Sequence, residues 1–316
     1  MATPLVETKN LKKYFKTGTG TLHAVEDVNL KIMPGKTLGV VGESGCGKST
    51  LGRTILRLQP ATSGEVLYNG ENILKYRGRD MQKIHLNMQM VFQDPYSSLD
   101  PRMSVHNLIA EPVQVCGLLK TKAEINEHVR EIMDMCGLPA DQANLYPHEL
   151  DGGLRQRVGL ARAMAVSPKF IVCDEPVSAL DVSIQAQILN LLMDLQEQRG
   201  LSYMFITHDL CVVKHISDEI MVMYMGQVVE HAKTAELFAN PVHPYTKALL
   251  HAVPTIDLSR RNREGFMLRG EVTSPINPAP GCRFAPRCPY ATDKCRENVC
   301  LKEVGPDHFV ACSLCD

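Results

Sequence analysis

The sequence predicts an α/β domain built on a largely parallel β-sheet. Short apolar runs alternate with helical patterns over residues 38–222, and this alternation is typical of parallel sheets covered by helices. Two of the runs, Thr37–Val41 and residues 170–173, are short and apolar and are followed by polar turns, as buried parallel strands are. Because ligands bind at the carboxyl ends of such strands, the residues after each run are candidates for a functional site.

Two amphipathic helices are expected to cover the sheet. Residues 121–136 begin with a capping pattern, in which Glu124 follows Thr121 by three positions, and they end before Gly137. Residues 183–199 carry an apolar stripe and are followed by a glycine. We interpret both stripes as core packing rather than as partner surfaces.

Composition and charge exclude several classes of protein. The 316 residues include 34 basic and 35 acidic side chains, for a formal net charge of −1, so no basic surface for nucleic acid is indicated. The start of the chain, MATPLVETKNLKKYFKTG, lacks the apolar core of a signal peptide. No stretch approaches the roughly 18 apolar residues that span a bilayer. We therefore expect the chain to remain in the cytoplasm.

The texture of the chain changes near residue 240. From there the sequence is rich in proline, from NPVHPYTKALLHAVP to SPINPAPGCRFAPRCP. Helices and strands in this part should therefore be short. We place a domain boundary near Pro254, which divides the chain into residues 1–254 and 255–316.

The segment GESGCGKS, residues 42–49, matches the phosphate-binding pattern G-x-x-x-x-G-K-[ST]. It follows the strand that ends at Val41 and precedes a helical pattern, as this loop requires. Backbone N–H groups can surround phosphates, the lysine can reach the β and γ phosphates, and the serine can bind Mg²⁺. The residues predicted to hold ATP and magnesium here are Gly42, Ser44, Gly45, Cys46, Gly47, Lys48, Ser49 and Thr50.

A pair of acids follows the second buried run. Asp174 comes directly after it and is placed to hold the metal, directly or through water. Glu175 is one residue further out and is the candidate to polarise the attacking water. Phosphoryl transfer needs such positioning and charge compensation more than covalent help.

Six ordered motifs make the chain similar to the ATP-binding cassette (ABC) ATPases, and most closely to the branch that imports oligopeptides, dipeptides and nickel. Beyond GESGCGKS and IVCDEP, the chain has MVFQDPYSSLDPRMSV, HELDGGLRQRVGLARAMAVSPK, SALD and ITHDL. The resemblance covers nearly the whole chain. It implies a P-loop ATPase core with an antiparallel β subdomain and an α-helical subdomain at about residues 95–168. A cysteine-rich C-terminal extension at residues 255–316 would follow.

The resemblance also implies roles for single residues. Gln93 would contact Mg²⁺ and the attacking water, and His208 would contact the γ-phosphate. Asp181 resembles the acid that bridges two cassettes of a dimer. Tyr14 looks like the aromatic residue that stacks on adenine, with Phe15 as a close competitor.

One motif departs from the family pattern. The signature Leu-Ser-Gly-Gly-Gln is replaced by Leu-Asp-Gly-Gly-Leu, with Asp151 and Leu154 at the two changed positions. In this family the signature of one subunit closes over ATP held by the other. Gly152 and Gly153 keep the backbone donors, but Asp151 would bring negative charge toward a γ-phosphate. We therefore expect an asymmetric pair of sites, of which the one capped by Asp151 is weakened.

The tail is rich in cysteine. Six of the chain's 11 cysteines lie at residues 282–315, and four of them have the spacing C-x5-C-x6-C-x16-C. Four thiolates can hold a [4Fe–4S] cluster or Zn²⁺. The resemblance favours the cluster, with zinc and unligated cysteines as alternatives. The four predicted ligands are Cys282, Cys288, Cys295 and Cys312. Four cysteines elsewhere in the chain, Cys116, Cys136, Cys173 and Cys211, are interpreted as small core residues.

The predicted function is ATP binding and hydrolysis that drives uptake of peptides or a related solute. The implied partners are a second cassette, which is expected to be a homologous but different chain, two membrane permease subunits and an extracellular solute-binding protein. The chain would then lie at the cytoplasmic face of the membrane. Two alternatives stay open: a non-hydrolysing regulatory cassette of the same complex, and a soluble ABC ATPase that does not serve transport.

Overall fold

The computed structural model of the protein describes residues 3–253, 275–297 and 299–315. The boundary predicted near Pro254 lies outside the described residues. The strands, numbered in chain order, are β1 (Val6–Thr17), β2 (Gly20–Ile32), β3 (Thr37–Val41), β4 (Ser63–Tyr68), β5 (Glu71–Asn72), β6 (Met88–Val91), β7 (Phe170–Asp174), β8 (Ser202–Thr207), β9 (Glu219–Tyr224), β10 (Gln227–Lys233), β11 (Lys302–Gly305) and β12 (His308–Val310). The α-helices are α1 (Lys48–Ile55), α2 (Arg79–Asn87), α3 (Pro95–Ser98), α4 (Val105–Val115), α5 (Lys122–Met135), α6 (Gly152–Met164), α7 (Val182–Arg199), α8 (Leu210–Ile216), α9 (Thr234–Ala239) and α10 (Pro244–Ala252).

The larger sheet has the strand order β11-β12-β10-β9-β3-β8-β7-β6. Its five strands from β9 to β6 are parallel to one another, and every residue of β3, β7 and β8 is buried. The predicted α/β fold with a parallel core is confirmed. Because β3, β6, β7 and β8 are parallel neighbours, their carboxyl ends meet at one edge of the sheet.

The smaller sheet is antiparallel, with the order β2-β1-β4-β5. Its apolar face packs on α1 and on the adjoining face of the larger sheet, in a core that includes Val6, Leu11, Val25 and Leu51. This packing places the end of β1 and the start of β2 beside the loop that joins β3 to α1.

Helices α4 to α6 pack with α7 and with one face of the larger sheet in a single apolar core. The predicted helix at residues 121–136 is α5, and its capping box between Thr121 and Glu124 is present. The predicted helix at 183–199 is α7, which ends at Gly200 in the left-handed conformation. In both helices the predicted apolar stripe faces the core.

The C-terminal tail extends the larger sheet. β12 pairs antiparallel with β10, at Glu230 with Val310 and His231 with Phe309, and β11 pairs with β12. The buried carboxylate of Glu230 accepts a hydrogen bond of 2.8 Å from Nε2 of His308. Phe284 of the tail packs with Tyr224 and Tyr245. The tail is therefore built onto the cassette's own core.

Within the part of the chain that the structure describes, no helix combines the length and apolarity needed to cross a membrane.

Candidate functional site

The loop between β3 and α1 forms the floor of a cavity of about 450 Å³ at the carboxyl edge of the larger sheet. At two positions of this loop only glycine fits, because the backbone of another segment approaches too closely for a Cβ atom. A Cβ at Gly42 would lie 2.2 Å from the carbonyl oxygen of Met223, and one at Gly47 would lie 2.1 Å from that of Ala24. The cavity is lined by Phe15, Leu22, His23, Ala24, residues 44–50, Gln93, Glu175, His208, Gly226 and Pro275.

Lys48 is the buried cation of this loop. Its Nζ donates hydrogen bonds to the carbonyl oxygens of Gly42 at 2.7 Å and Glu43 at 3.0 Å. Anionic oxygens are stronger acceptors for an ammonium group than neutral carbonyls are. The side chain is therefore held at the cavity by partners that a phosphate group can replace.

Asp174 ends β7 beside the start of α1. Its Oδ1 accepts a hydrogen bond of 2.6 Å from the hydroxyl of Ser49. Its Oδ2 is buried and has no hydrogen-bond partner among the described residues, and Nη2 of Arg53 lies 3.6 Å from it. Burial raises the pKa of Asp174, against the hydrogen bond from Ser49, which lowers it. A hydroxyl beside a buried, unsatisfied carboxylate oxygen is a donor set that suits Mg²⁺.

Glu175 brings together three strand ends. Its Oε2 accepts a hydrogen bond of 2.9 Å from Nε2 of Gln93, which follows β6. The same oxygen lies 3.4 Å from Nδ1 of His208, which follows β8. The backbone of Glu175 has a φ of 46°, a strained value for a residue with a side chain, and such strain is concentrated at functional sites. The sequence singled out these three side chains, and the structure places them in contact.

The aromatic residue in the cavity is Phe15 rather than Tyr14. Phe15 contributes to the lining. The ring of Tyr14 stacks on His23 with centroids 4.0 Å apart, and its hydroxyl donates to Glu26 at 2.6 Å. Burial, followed by the hydrogen bond to Glu26, raises the pKa of Tyr14 to about 12. Among the described residues, Phe15 and not Tyr14 therefore lines the cavity.

The signature residues lie at helix starts outside this cavity. α6 begins at Gly152, and Oδ1 of Asp151 caps it by accepting a hydrogen bond of 2.8 Å from the backbone N–H three residues later. Asp181 caps α7 in the same way at 3.0 Å. Among the described residues that line the cavity, none comes from 151–153 or 181.

The tail cysteines are not arranged as a metal site in the described residues. No group of three His, Cys, Asp or Glu in that part of the chain could hold a metal ion. Sγ of Cys295 lies 3.2 Å from the hydroxyl of Ser313. Burial raises the pKa of Cys282 to about 11. Burial also acts to raise the pKa of Cys295, but hydrogen bonds from Ser313 and Thr292 outweigh burial and lower that pKa.

Three side chains that were not predicted from the sequence bind residues of the phosphate loop and of β2 beside the cavity. Tyr245 of α10 accepts a hydrogen bond of 2.9 Å from the backbone N–H of Glu43. Arg287 pairs with the carboxylate of Glu43, and Arg283 pairs with that of Glu26. The arginines are visible in the text GCRFAPRC, but no local pattern connects them with residues that lie more than 240 positions away.

Two family models match the chain. One, described as ABC transporter, matches residues 25–178, and the other, described as Oligopeptide/dipeptide transporter, C-terminal region, matches residues 229–295. The oligopeptide transport ATP-binding protein OppF of Bacillus subtilis is 49% identical over 315 residues, covering 99% of this chain and 97% of that protein. The putative oligopeptide transport ATP-binding protein YkfD of the same organism is 48% identical, covering 98% and 95%.

Solved structures also match. The ATP-binding cassette MJ0796, in a dimeric post-hydrolysis state bound to ADP and Pi, superposes with a TM-score of 0.67 at 31% identity. The match covers 72% of this chain and 98% of that one. A second match is cbiO1 of Clostridium perfringens, part of the ABC transporter complex cbiONQ, with a TM-score of 0.66 at 26% identity, covering 75% of this chain and 91% of that one.

Proposed function

Because the chain belongs to the ABC transporter family, we propose that it is the subunit of a peptide importer that binds and hydrolyses ATP. Relatives that match over nearly their whole length are named as oligopeptide transport ATP-binding proteins, and the C-terminal match is to the oligopeptide and dipeptide transporters. One observation on this chain itself supports the proposal. Ser49 with Asp174, and Gln93 with Glu175 and His208, converge on the phosphate-loop cavity.

The chemistry follows from these side chains. Lys48 exchanges its carbonyl partners for phosphate oxygens, and the N–H groups of the loop bind the remaining charge. Ser49 and Asp174 would hold Mg²⁺, which supplies charge neutralisation to the phosphates when it is bound. The Glu175 carboxylate polarises the attacking water. Gln93 and His208 fix the direction of that carboxylate, since both contact its Oε2.

A second cassette is proposed to complete the site. Support comes from the helix starts at Asp151 and Asp181, which lie outside the chain's own cavity, and from the dimeric state of the cassette MJ0796. Closing such a pair around ATP and reopening it after hydrolysis would rock the attached permease subunits. The proposed assembly has a second, homologous cassette, two permease subunits and a solute-binding protein, with this chain at the cytoplasmic face of the membrane.

The tail cluster stays a proposal whose only support is the cysteine spacing. Four cysteines at C-x5-C-x6-C-x16-C are enough ligands for [4Fe–4S] or Zn²⁺, but the described residues show no arrangement of three that fits a metal. Iron, sulfide and zinc analysis of protein purified without oxygen tests it. A stoichiometric metal would establish the site, and a metal-free, active protein would rule it out.

The decisive experiment uses the assembled transporter. Glu175→Gln is expected to lower ATP turnover by at least about 100-fold and to leave ATP binding intact. Unchanged turnover in this variant would favour the regulatory cassette, because hydrolysis would then come from a partner chain. Purification without any integral-membrane partner would favour a soluble ATPase. The exposed Glu197→Gln variant on α7 is the matched control.

A further inference from the structure

Glu43 is a residue of the phosphate loop, and the C-terminal tail holds its carboxylate. Nη1 of Arg287 lies 2.8 Å from Oε2 of Glu43, and Nη2 lies 3.2 Å from Oε1. This is a two-point guanidinium–carboxylate pair, the strongest side-chain ion pair geometry in proteins. Arg287 is only 7% exposed and the Glu43 side chain is partly buried, so solvent screens the pair less than it screens a surface pair. The hydrogen bonds to Glu43 raise the pKa of Arg287.

Glu43 also contacts the other working parts of the loop. Its carbonyl oxygen accepts a hydrogen bond from Lys48, and its N–H donates to Tyr245. A carboxylate at this point adds negative charge to a loop whose ligand is itself anionic. Without a compensating cation, that charge would oppose phosphate binding. Arg287 supplies the compensation and fixes the side chain at the same time.

A second tail arginine holds the opposite wall of the cavity. Nη2 of Arg283 donates to Glu26 at 2.9 Å, and its Nη1 donates to the backbone oxygen of Met225. Glu26 also accepts hydrogen bonds from Tyr14 and His23, each at 2.6 Å. Burial raises the pKa of Glu26, but the hydrogen bonds from Tyr14, His23 and Lys12 outweigh it and bring the pKa down to about 2. The Glu26 carboxylate is thus the centre of a hydrogen-bonded and charged network that includes Tyr14, His23 and Arg283.

The start of the described tail continues along the same wall. The carbonyl oxygen of Pro275 accepts a hydrogen bond of 3.1 Å from His23, and Asn277 exchanges two hydrogen bonds with Thr21 at 2.9 Å. Pro275 also lines the cavity itself, as His23 does. The tail therefore contacts the cavity region at three places. Pro275 lines the cavity, Arg283 binds Glu26 of β2, and Arg287 binds Glu43 of the phosphate loop.

We propose that residues 275–288 are a working part of the nucleotide site, in which Arg287 and Arg283 are positioning residues that set the affinity for ATP. Arg287 acts on the phosphate end by neutralising Glu43. Arg283 acts on the base end by fixing the strands that carry Phe15. The proposal rests on the proposed function, since it assumes that this cavity binds ATP.

The test is equilibrium binding of ATP with Mg²⁺ to the full chain, by titration calorimetry. Arg287→Gln leaves the Glu43 charge uncompensated, so affinity is expected to fall by about tenfold, within the usual range for coupling between sites. Glu43→Gln removes the opposing charge, so affinity is expected to hold or rise. The double variant is expected to bind within about twofold of the wild type. A purely structural pair predicts that both single variants lose affinity alike.

Further variants keep the outcomes separable. Arg283→Gln is expected to weaken ATP binding and to leave inorganic triphosphate unaffected, because it acts on the base end. Arg130→Gln removes an arginine that pairs with Glu127 at 3.0 Å on α5, and it controls for loss of an arginine. Equal ATP affinity of wild type and Arg287→Gln would overturn the proposal. A wild-type chain that fails to bind ATP would instead overturn the proposed function.

Separate measurement of KM for ATP and of kcat in the assembled transporter gives a further test. Arg287→Gln is expected to raise KM for ATP by about tenfold with little change in kcat, since the pair acts on binding rather than on the reacting water. A loss confined to kcat would contradict the assignment.

Discussion

The hydroxyl of Ser49 lies 2.6 Å from Oδ1 of Asp174, across 125 positions of sequence. This hydrogen bond joins the phosphate loop to the end of β7. The second oxygen of the same carboxylate is buried, and no residue in the part of the chain that the structure describes forms a hydrogen bond with it. A buried carboxylate that is satisfied on one side only is costly to the nucleotide-free fold, and such a cost is expected where a ligand completes the set of contacts.

Asp174→Asn is therefore expected to separate stability from activity. Burial raises the folded-state pKa of Asp174 above its unfolded value. The charged form is thus disfavoured in the fold, and stability falls as pH rises through that pKa. Without nucleotide at neutral pH, the neutral variant should melt at a higher temperature than the wild type.

The same variant should lose ATP turnover in the assembled transporter. Loss of a metal-supporting carboxylate is expected to cost about 100-fold. Melting curves and Mg²⁺-dependent turnover check both parts, with Asp194→Asn on the exposed face of α7 as control. A variant that melts earlier and keeps its turnover would assign Asp174 a structural role only.

Phe15→Ala is expected to weaken ATP binding by about tenfold, since stacking of a base on an aromatic ring contributes about 1–3 kcal/mol. Inorganic triphosphate should bind as before, because it has no base. Tyr14→Phe keeps the ring and removes only the hydrogen bond to Glu26. It should weaken ATP binding less than Phe15→Ala does. Binding titrations of both ligands decide, and a larger loss in Tyr14→Ala than in Phe15→Ala would return the role to Tyr14.

Asp151→Ser is expected to raise ATP turnover of the assembled transporter. The carboxylate caps α6, and serine and asparagine cap helices about equally well. Asp151→Asn therefore keeps the cap and removes the charge, and it should also raise turnover. Asp151→Ala removes both, at a cost of about 1 kcal/mol in stability. If turnover stays level or drops in the serine and asparagine variants, negative charge at this position does not limit the second site.

The site could be predicted because its residues lie near the ends of strands. Asp174 and Glu175 were expected from the apolar run before them, whereas Gln93 and His208 were expected from the family resemblance. The parallel order of β6, β7 and β8 brings Gln93, Glu175 and His208 together. The aromatic residue is a different case. β1 has register shifts between Leu11 and Tyr14, and a one-residue shift exchanges the faces of a strand. The resemblance placed an aromatic residue at this point of β1, but it did not determine whether Tyr14 or Phe15 faces the cavity.

Burial of isolated cysteines was harder to predict. Cys136 and Cys173 are buried, as expected, but Cys116 and Cys211 are exposed. Cys116 is the C-cap of α4, and Cys211 lies in the first turn of α8. At a helix end, apolar residues next to a cysteine in sequence need not surround it in the folded protein. The contacts of the tail arginines were beyond sequence reasoning for the same reason. Arg287 and Glu43 are 244 positions apart.

The last prediction concerns His243, which is 1% exposed at the start of α10. Its Nδ1 accepts a hydrogen bond of 3.1 Å from the backbone N–H of Tyr245, and a protonated ring cannot accept there. Burial lowers the pKa of His243 to about 3. The unfolded chain takes up a proton near pH 6.5, a typical value for histidine, and the folded chain does not until about pH 3.

Stability contributed by the neutral ring is therefore complete above about pH 6.5. It declines as pH falls toward 3, at up to about 1.4 kcal/mol per pH unit. His243→Asn keeps an acceptor for Tyr245 and has no titrating ring, so its stability should depend less on pH over this range. Urea unfolding at about pH 5 and pH 7 measures the difference, with the exposed His251→Asn on the same helix as control. An equal loss of stability in His243→Asn and wild type would assign the acid sensitivity to other groups.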